Sequence, residues 1–478
     1  MLNMDGVRFL FASLVAKRLP CRLPGVVLLV LLAAGIAASG AHAEPGEKKE
    51  PAVVVVDSPE IADLLETLGK PLVRAAGLQE ESVHFHVILN NQLNAMALPN
   101  GHLVFNSGLV LECASPEELA SVMAHETAHL AAGHHLRMQS EMRSASIQAL
   151  LAAIVGITAG AVARNSSLAE AGVIGGSAAA QTVMLDSMRE KESQADRLGI
   201  RYLAASGYDP GGMGSFMRHL LEEQRKASLP APYLLTHPLS VERVLDAERT
   251  VATVTVAKVN RPKMDVAALK RVQAVLLAST ETDPKEAESI FNARLKKDPD
   301  DWPSQYGLAI VYRYAGETQK ASGLLEKLLA LHPNDPYILR EKGLLLLEKG
   351  QPGAAEKLFT SALARKPDDP DMRYRLSLSL SDGGKLEEAG KLLRRLTVER
   401  PTVPVYQYQL GVVEGQRERL GHAHLAMARY FALLMDDKMA LFHYNEAINR
   451  FLKTDREHDI AQAELKRFKE EFRKFRQQ

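Results

Sequence analysis

From residue 265 onward, small and apolar residues recur at a fixed spacing that predicts pairs of helices. Proline returns every 34 residues, and alanine keeps the same period in its own register. An apolar residue follows each alanine by four positions, about one helical turn, so the two side chains share a helix face. The period therefore predicts an array of helix pairs. Its members are Pro299, Pro333, Pro367 and Pro401, then Ala287, Ala321, Ala355 and Ala389, then Phe291, Leu325, Phe359 and Leu393.

This pattern resembles tetratricopeptide repeats, in which alanine lets two antiparallel helices approach and proline ends the second helix. We therefore expect an all-α solenoid over residues 265–454, with a concave surface for extended or helical ligands. One position on the first helix of successive units carries aromatic or Arg side chains. These side chains either anchor a ligand in the groove or pack between helices. They are Tyr306, Arg340, Tyr374 and Tyr408.

The segment 455–478 places apolar side chains at helical spacing among several Lys and Arg residues. We expect a helix that caps the open core of the last repeat, as terminal repeats require. The alternative is a helix that lies on a membrane surface. The apolar residues are Leu465, Phe468, Phe472 and Phe475.

The remaining chain divides into three parts. Residues 44–250 lack the repeat and mix strand-like with helical stretches, and residues 251–264 lack helix signals, which predicts a linker. Residues 1–43 join a basic start, an apolar run and the sequence Ala-His-Ala, which predicts a signal peptide cleaved after Ala43. An uncleaved membrane anchor is the alternative, although the apolar run is short for a spanning helix.

Composition narrows the class of protein. The chain has 58 Lys and Arg residues against 58 Asp and Glu residues, and no block of like charge resembles a nucleic-acid-binding arm. We therefore expect no nucleic-acid partner. Hydrophobic residues make up 46% and charged residues 24%, which argues against wholesale disorder and against a polytopic membrane protein.

The sequence His125-Glu126-Thr127-Ala128-His129 follows an apolar helical run. Positions i and i+4 share a helix face, so both histidines can bind one Zn²⁺ while Glu126 handles a proton. Two solvated histidines on an ordinary helix are the alternative. Catalytic zinc needs a third protein ligand, for which Glu192 in a later helical stretch is the candidate. Asp196, one turn further, is placed to accept the N–H of a ligand histidine.

A second feature is Thr236-His237-Pro238, with Arg243 six residues after the histidine. His237 either donates a hydrogen bond to the oxyanion of the reaction or occupies the fourth position of zinc and keeps the enzyme latent. A loop histidine satisfied by backbone groups is the alternative. Arg243 is a second candidate for steadying the oxyanion. We expect His134 on the surface, because it lies off the face that carries His125 and His129.

A β-hairpin is predicted just before the motif helix, because Asn100-Gly101 separates two strand-like runs. Its first strand is the predicted edge on which an extended substrate adds as a further strand. The candidate substrate-binding residues are Asn94, Ala95, Met96, Ala97 and Leu98.

The run from Asn94 to His102, the HETAH motif, the sequence ESQAD and the THP loop with Arg243 resemble the M48 peptidases. The resemblance implies an α+β fold: a mainly helical zincin-type metalloprotease domain with a small β-hairpin or sheet, followed by the tetratricopeptide solenoid. It implies His125, His129 and Glu192 as ligands of one zinc ion per chain. Glu126 is then the catalytic base, and His237 is the histidine that caps the metal.

Exported M48 peptidases with such repeats act in outer-membrane protein biogenesis, where they degrade stalled barrel precursors and assist assembly. The resemblance thus implies a zinc metalloendopeptidase in the periplasm, at the inner face of the outer membrane. Its partners would be unfolded or assembling outer-membrane β-barrel proteins and their assembly machinery. The rival hypothesis is a chaperone or scaffold that binds such precursors through its repeats. Residues 149–180 are apolar and are expected to pack on the protease core or to make peripheral membrane contact.

Overall fold

The structure is a computed structural model that describes residues 55–56, 58–134, 178–226, 237–259, 264–280 and 283–476. The predicted signal peptide and residues 149–177 of the apolar insert lie outside these ranges. The chain divides into two compact units, residues 1–314 and 315–478. Among the described residues, no helix combines the length and the apolar character needed to cross a membrane.

The first unit begins with helix α1 (Pro59–Ala75) and a three-stranded sheet. Strands β1 (His84–Ile88), β2 (Ala95–Leu98) and β3 (His102–Asn106) lie in the order β1-β3-β2. β3 pairs parallel with β1 and antiparallel with β2, which confirms the predicted β2–β3 hairpin.

The hairpin turn depends on its glycine. Asn100 and Gly101 have φ angles of 61° and 81°, in the left-handed region. A Cβ at Gly101 would lie 1.8 Å from the carbonyl oxygen of Ser82, so no larger residue fits there.

Five further helices follow the sheet in the first unit, and three of them carry residues of the candidate site. Ser115 caps the N-terminus of α3 because its hydroxyl accepts from the Glu118 N–H, and Ser240 caps α6 in the same way through the Arg243 N–H. Helices α3 and α4 pack against each other, and α5 packs on α3. The helices are α2 (Ser107–Glu112), α3 (Pro116–Ala131), α4 (Ala178–Ala205), α5 (Gly211–Lys226) and α6 (Val241–Thr253).

Three helices that follow residue 264 also belong to the first unit: α7 (Val266–Thr280), α8 (Pro284–Lys297) and α9 (Trp302–Tyr314). α7 packs on α1 and α2, and its Gln273 amide donates to the Val110, Leu111 and Cys113 carbonyls at the end of α2. From α9, the Tyr306 hydroxyl donates to Glu60 at 2.6 Å. The start of the repeat segment is therefore packed into the first unit.

The second unit consists of helices that pack on their sequence neighbours, as the period predicts. The alanines of the pattern are completely buried, and so are the apolar residues four positions later. This confirms the all-α repeat prediction and, with the small sheet of the first unit, the α+β class. The helices are α10 (Thr318–Leu331), α11 (Pro336–Glu348), α12 (Pro352–Leu363), α13 (Pro370–Asp382), α14 (Leu386–Glu399), α15 (Pro404–Gln416), α16 (Leu420–Leu433), α17 (Asp437–Arg450) and α18 (Arg456–Arg476).

The last helix, α18, covers the end of the repeat core. Its Ala461 and Leu465 are buried in one cluster with Leu425 and Tyr444, and Phe468 packs against that cluster. These apolar side chains of α18 therefore face the neighbouring repeat, as a capping helix requires.

Candidate active site

Helix α3 presents the three side chains of its motif to the interior. His125 and Glu126 are only 2% and 1% exposed, and His129 is partly buried. The Nε2 atoms of His125 and His129 lie 3.0 Å apart, as two imidazoles one helical turn apart on one face allow.

Helix α4 brings the carboxylate of Glu192 to these imidazoles. Its oxygens lie 3.3 Å from the Nε2 atoms of both His125 and His129. The approach is close because Gly199 lies where α4 crosses α3. A Cβ there would be 3.2 Å from the His125 backbone nitrogen. A side chain at position 199 would thus push apart the two helices that carry the cluster.

His237 completes the cluster from the loop before α6. Its Nδ1 atom lies 3.3 Å from His125 Nε2 and 3.1 and 3.2 Å from the two Glu192 oxygens. The ligand atoms of His125, His129, Glu192 and His237 all lie within 4.8 Å of one another. Four donors from two helices and one loop therefore meet around one point.

The donor set fits zinc. A tetrahedral zinc ion with bonds of about 2.0–2.1 Å holds its ligand atoms about 3.3 Å apart. The donor separations of 3.0–3.3 Å among His125, His129 and Glu192 match this spacing. Imidazole nitrogens and a carboxylate are also ligand types that zinc prefers.

Arg243 organises the carboxylates behind the ligands. His125 Nδ1 lies 3.0 Å from Asp196 Oδ1, and the Arg243 guanidinium donates to both Asp196 oxygens at 2.8 and 2.9 Å. Arg243 also donates to the Pro238 carbonyl and lies 3.2 Å from Glu192. It thus holds the groups that orient His125, and its role at the oxyanion stays a prediction.

The charges of the cluster favour a cation at its centre. Burial lowers the pKa of His125, but the hydrogen bonds that it donates to Asp196 and Glu192 outweigh it and raise this pKa to about 10. Burial likewise opposes ionisation of Glu192, yet the charge of His237 and the hydrogen bonds from the histidines hold the pKa of Glu192 well below its usual range. Protons and a metal ion therefore compete for the same positions.

The carboxylate of Glu126 lies outside the group of four ligand residues. Neither of its buried oxygens has a hydrogen-bond partner in the described part of the chain, and His237 Nε2 lies 3.6 Å from Oε1. Burial of a carboxylate without a protein hydrogen-bond partner costs free energy, a cost that functional sites bear. Beside a metal centre, the Glu126 carboxylate is placed to accept a proton from water.

The prediction that His134 lies on the surface is wrong. His134 is buried, with Nδ1 2.9 Å from His129 Nδ1 and Nε2 3.1 Å from Gln194 Oε1. Helical spacing failed because Gly133, with a φ of 65°, ends the helix and redirects the next residue. The glycine before a histidine just past the motif was the available signal for such a return.

Strand β2 has the position expected of a substrate edge. It is the terminal strand of the sheet, it pairs with β3, and it packs on α3. Ala95 is buried, and Met96, Ala97 and Leu98 are half-buried. The Asn94 carbonyl accepts from the Asn106 N–H and so faces β3. The other edge of β2 has no strand partner among the described residues.

The four proposed groove residues separate into two kinds. Tyr306 is completely buried and Arg340 is 6% exposed, bonded to Asp371 and Glu341. These two therefore pack inside their units, which is the second of the two alternatives given for this repeat position. Tyr374 and Tyr408 are half-buried.

Comparisons with known proteins agree with this architecture. Residues 60–251 match the model of peptidase family M48, and residues 308–374 and 346–409 match tetratricopeptide repeat models. A Vibrio cholerae protein named as a beta-barrel assembly-enhancing protease is 33% identical over 60% of this chain and 58% of its own length. The beta-barrel assembly-enhancing protease of Escherichia coli K12 is 29% identical over the same shares.

The chain thus spans less than two thirds of the length of these relatives. Among solved structures, the type IV pilus biogenesis factor PilW is 18% identical, covering 41% of this chain and 98% of its own, with a TM-score of 0.32. Residues 60–251 of this chain are a peptidase M48 domain, and the chain continues with tetratricopeptide repeats.

Proposed function

We propose that the protein is a zinc-dependent metalloendopeptidase. The observation that carries the proposal is the convergence of the His125, His129 and Glu192 donor atoms. Beside them lies the buried carboxylate of Glu126, which has no hydrogen-bond partner among the described residues. These three residues would hold one zinc ion, which when bound polarises a peptide carbonyl and acidifies water. The M48 match and the names of the relatives support the same reaction class.

The side chains divide the remaining work. Glu126 takes a proton from the attacking water and delivers it to the leaving amine. Asp196, held by Arg243, keeps the proton of His125 on Nδ1 and its Nε2 lone pair toward the ion. The outer edge of β2 binds the substrate backbone as an added strand, which fits any sequence because main-chain groups make the hydrogen bonds.

His237 acts in this proposal as a removable fourth ligand. Its Nδ1 lies as close to the donors of the cluster as they lie to one another, which supports coordination more than a role at the oxyanion. A zinc ion with four protein ligands has no open position for water, so the enzyme is latent until His237 leaves. Coordination by His237 would give the ion three imidazole ligands, whereas a role at the oxyanion would leave it with two.

The proposed setting is the periplasm, at the inner face of the outer membrane, where the enzyme degrades stalled β-barrel precursors. The basic and apolar N-terminal sequence and the names of the relatives support this setting. The repeats, with Tyr374 and Tyr408 as candidate contacts, recruit unfolded barrel proteins or their assembly machinery.

Glu126→Gln tests the function. The variant should lower the cleavage of casein and of an unfolded outer-membrane barrel protein by a factor of ~10² to 10⁴, because it removes the proton acceptor. Zinc should stay at one ion per chain, because the ligands are intact. The matched control is Glu117→Gln on the same helix, which should cleave both substrates like the wild type.

Four results would contradict the assignments. Full cleavage by Glu126→Gln would remove Glu126 from the reaction, and loss of zinc would show that it is a ligand. Cleavage of casein without cleavage of the barrel protein would sink the proposed client class. Undiminished stimulation of barrel assembly by the inactive variant would favour a chaperone role for the repeats.

A further inference from the structure

A hydrogen-bonded chain of side chains runs from the ligand His129 through His134 to Gln194. Gly133 follows the end of helix α3 with a positive φ, and the side chain of His134 contacts His129 in the last turn of that helix. The rings of His129 and His134 meet edge to face, with centroids 4.9 Å apart and an interplanar angle of 72°. Gln194 of helix α4 contacts the far side of His134. The chain therefore joins the two helices that carry the zinc ligands.

The hydrogen bonds of this chain have one consistent direction. The Gln194 carbonyl oxygen can only accept, so His134 Nε2 must carry a proton and donate to it. A neutral His134 then offers the lone pair of Nδ1, and His129 Nδ1 must donate to it across 2.9 Å. This leaves His129 Nε2 without a proton and directed at Glu192 and His125.

We propose that His134 and Gln194 are positioning residues that fix His129 in the tautomer and ring orientation able to bind zinc. The proposal rests on the zinc site proposed above. A histidine ligand needs a partner for its second ring nitrogen, since that partner selects which nitrogen faces the metal. His134 takes this role for His129, and Asp196 takes it for His125.

The two ligand histidines thus have partners of different charge. Asp196 is a carboxylate held by Arg243, whereas His134 is an imidazole held by an amide. A neutral acceptor orients the imidazole of His129 without placing a further negative charge behind it. The site already contains two buried carboxylates close to His129, Glu192 and Glu126. A neutral partner therefore limits the negative charge that the fold must bury.

The experiment measures the zinc dissociation constant of purified full-length variants by competition with a chelator. His134→Leu should bind zinc ~10- to 100-fold more weakly, because His129 loses the acceptor that selects its tautomer. His134→Asn should recover most of this loss, since its side-chain carbonyl can accept from His129. Gln194→Leu should weaken binding, while Gln194→Glu, which keeps an acceptor for His134, should bind more tightly than Gln194→Leu.

Ser121→Ala is the matched control. Ser121 is a buried polar residue of α3 that donates to the Glu117 carbonyl, so the variant tests a loss of stability alone. It should leave zinc affinity unchanged. Thermal melts of the metal-free variants identify any that do not fold, and the Gln194 pair decides the question if His134→Leu is one of them.

Two results would overturn the inference while leaving the zinc site in place. They are zinc binding by His134→Leu within twofold of the wild type, and binding by His134→Asn or Gln194→Glu as weak as that of their leucine counterparts. Absence of zinc binding by the wild type would instead contradict the proposed function itself.

Discussion

The two units bury charged side chains in opposite ways. In the second unit, Arg340 bonds Asp371 and Glu341, and Arg375 also bonds Asp371. Burial raises the pKa of Asp371, but the two arginines outweigh it and lower this pKa to about 2. In the first unit, three imidazoles and the Glu192 carboxylate direct donor atoms at one another, within 4.8 Å.

The comparison shows how a structural charge differs from a functional one. A buried ion pair that satisfies itself holds helices in register and needs nothing further. A buried group of donors aimed at a single point is satisfied by protons or by a cation at that point. We therefore expect the stability of the first unit to depend on its ligand, and that of the second unit not to.

Removal of zinc should destabilise the first unit and leave the second unit unchanged. Chelation should lower the melting temperature of the first unit. Zinc at a free concentration 1,000 times its dissociation constant stabilises the folded state by ~4 kcal/mol, and chelation removes this contribution. The melting temperature of the second unit should not change. Differential scanning calorimetry with and without chelator, followed by added zinc, provides the measurement. Equal shifts of both transitions would contradict the comparison.

Two arginines test the same contrast by substitution. Arg243→Met should lower the free energy of unfolding by ~3–5 kcal/mol, because Asp196, buried beside Glu192, loses its arginine partner. Arg375→Met should cost less, ~1–2 kcal/mol, because Arg340 still pairs with Asp371.

Urea unfolding of both variants gives the two values. Arg249→Met serves as control, since its ion pair with Asp246 is largely exposed and its loss should change stability by less than ~0.5 kcal/mol. A loss for Arg375→Met as large as that for Arg243→Met would show that the two clusters are energetically alike.

Local sequence patterns predicted much of this molecule. The i and i+4 spacing put His125 and His129 on one face, Asn100-Gly101 predicted the hairpin, and the 34-residue period predicted the repeat helices. Each of these predictions depends on backbone geometry within a few residues or on a sequence pattern that repeats.

The errors arose where distant segments meet. Helical spacing cannot follow His134 past the left-handed Gly133. The repeat register cannot show that Tyr306 reaches Glu60, which lies far away in the sequence. The spacing after His237 cannot show that the partners of Arg243, which are Asp196 and Glu192, come from another helix.

The most direct test is a zinc X-ray absorption spectrum, which counts the imidazoles bound to the ion, in the wild type and in His237→Ala. We predict one zinc per chain with three imidazoles in the wild type and two in the variant, together with a several-fold rise in casein cleavage as the fourth position opens. A wild-type protein that binds no zinc, or a zinc ion without imidazole ligands, would contradict the account.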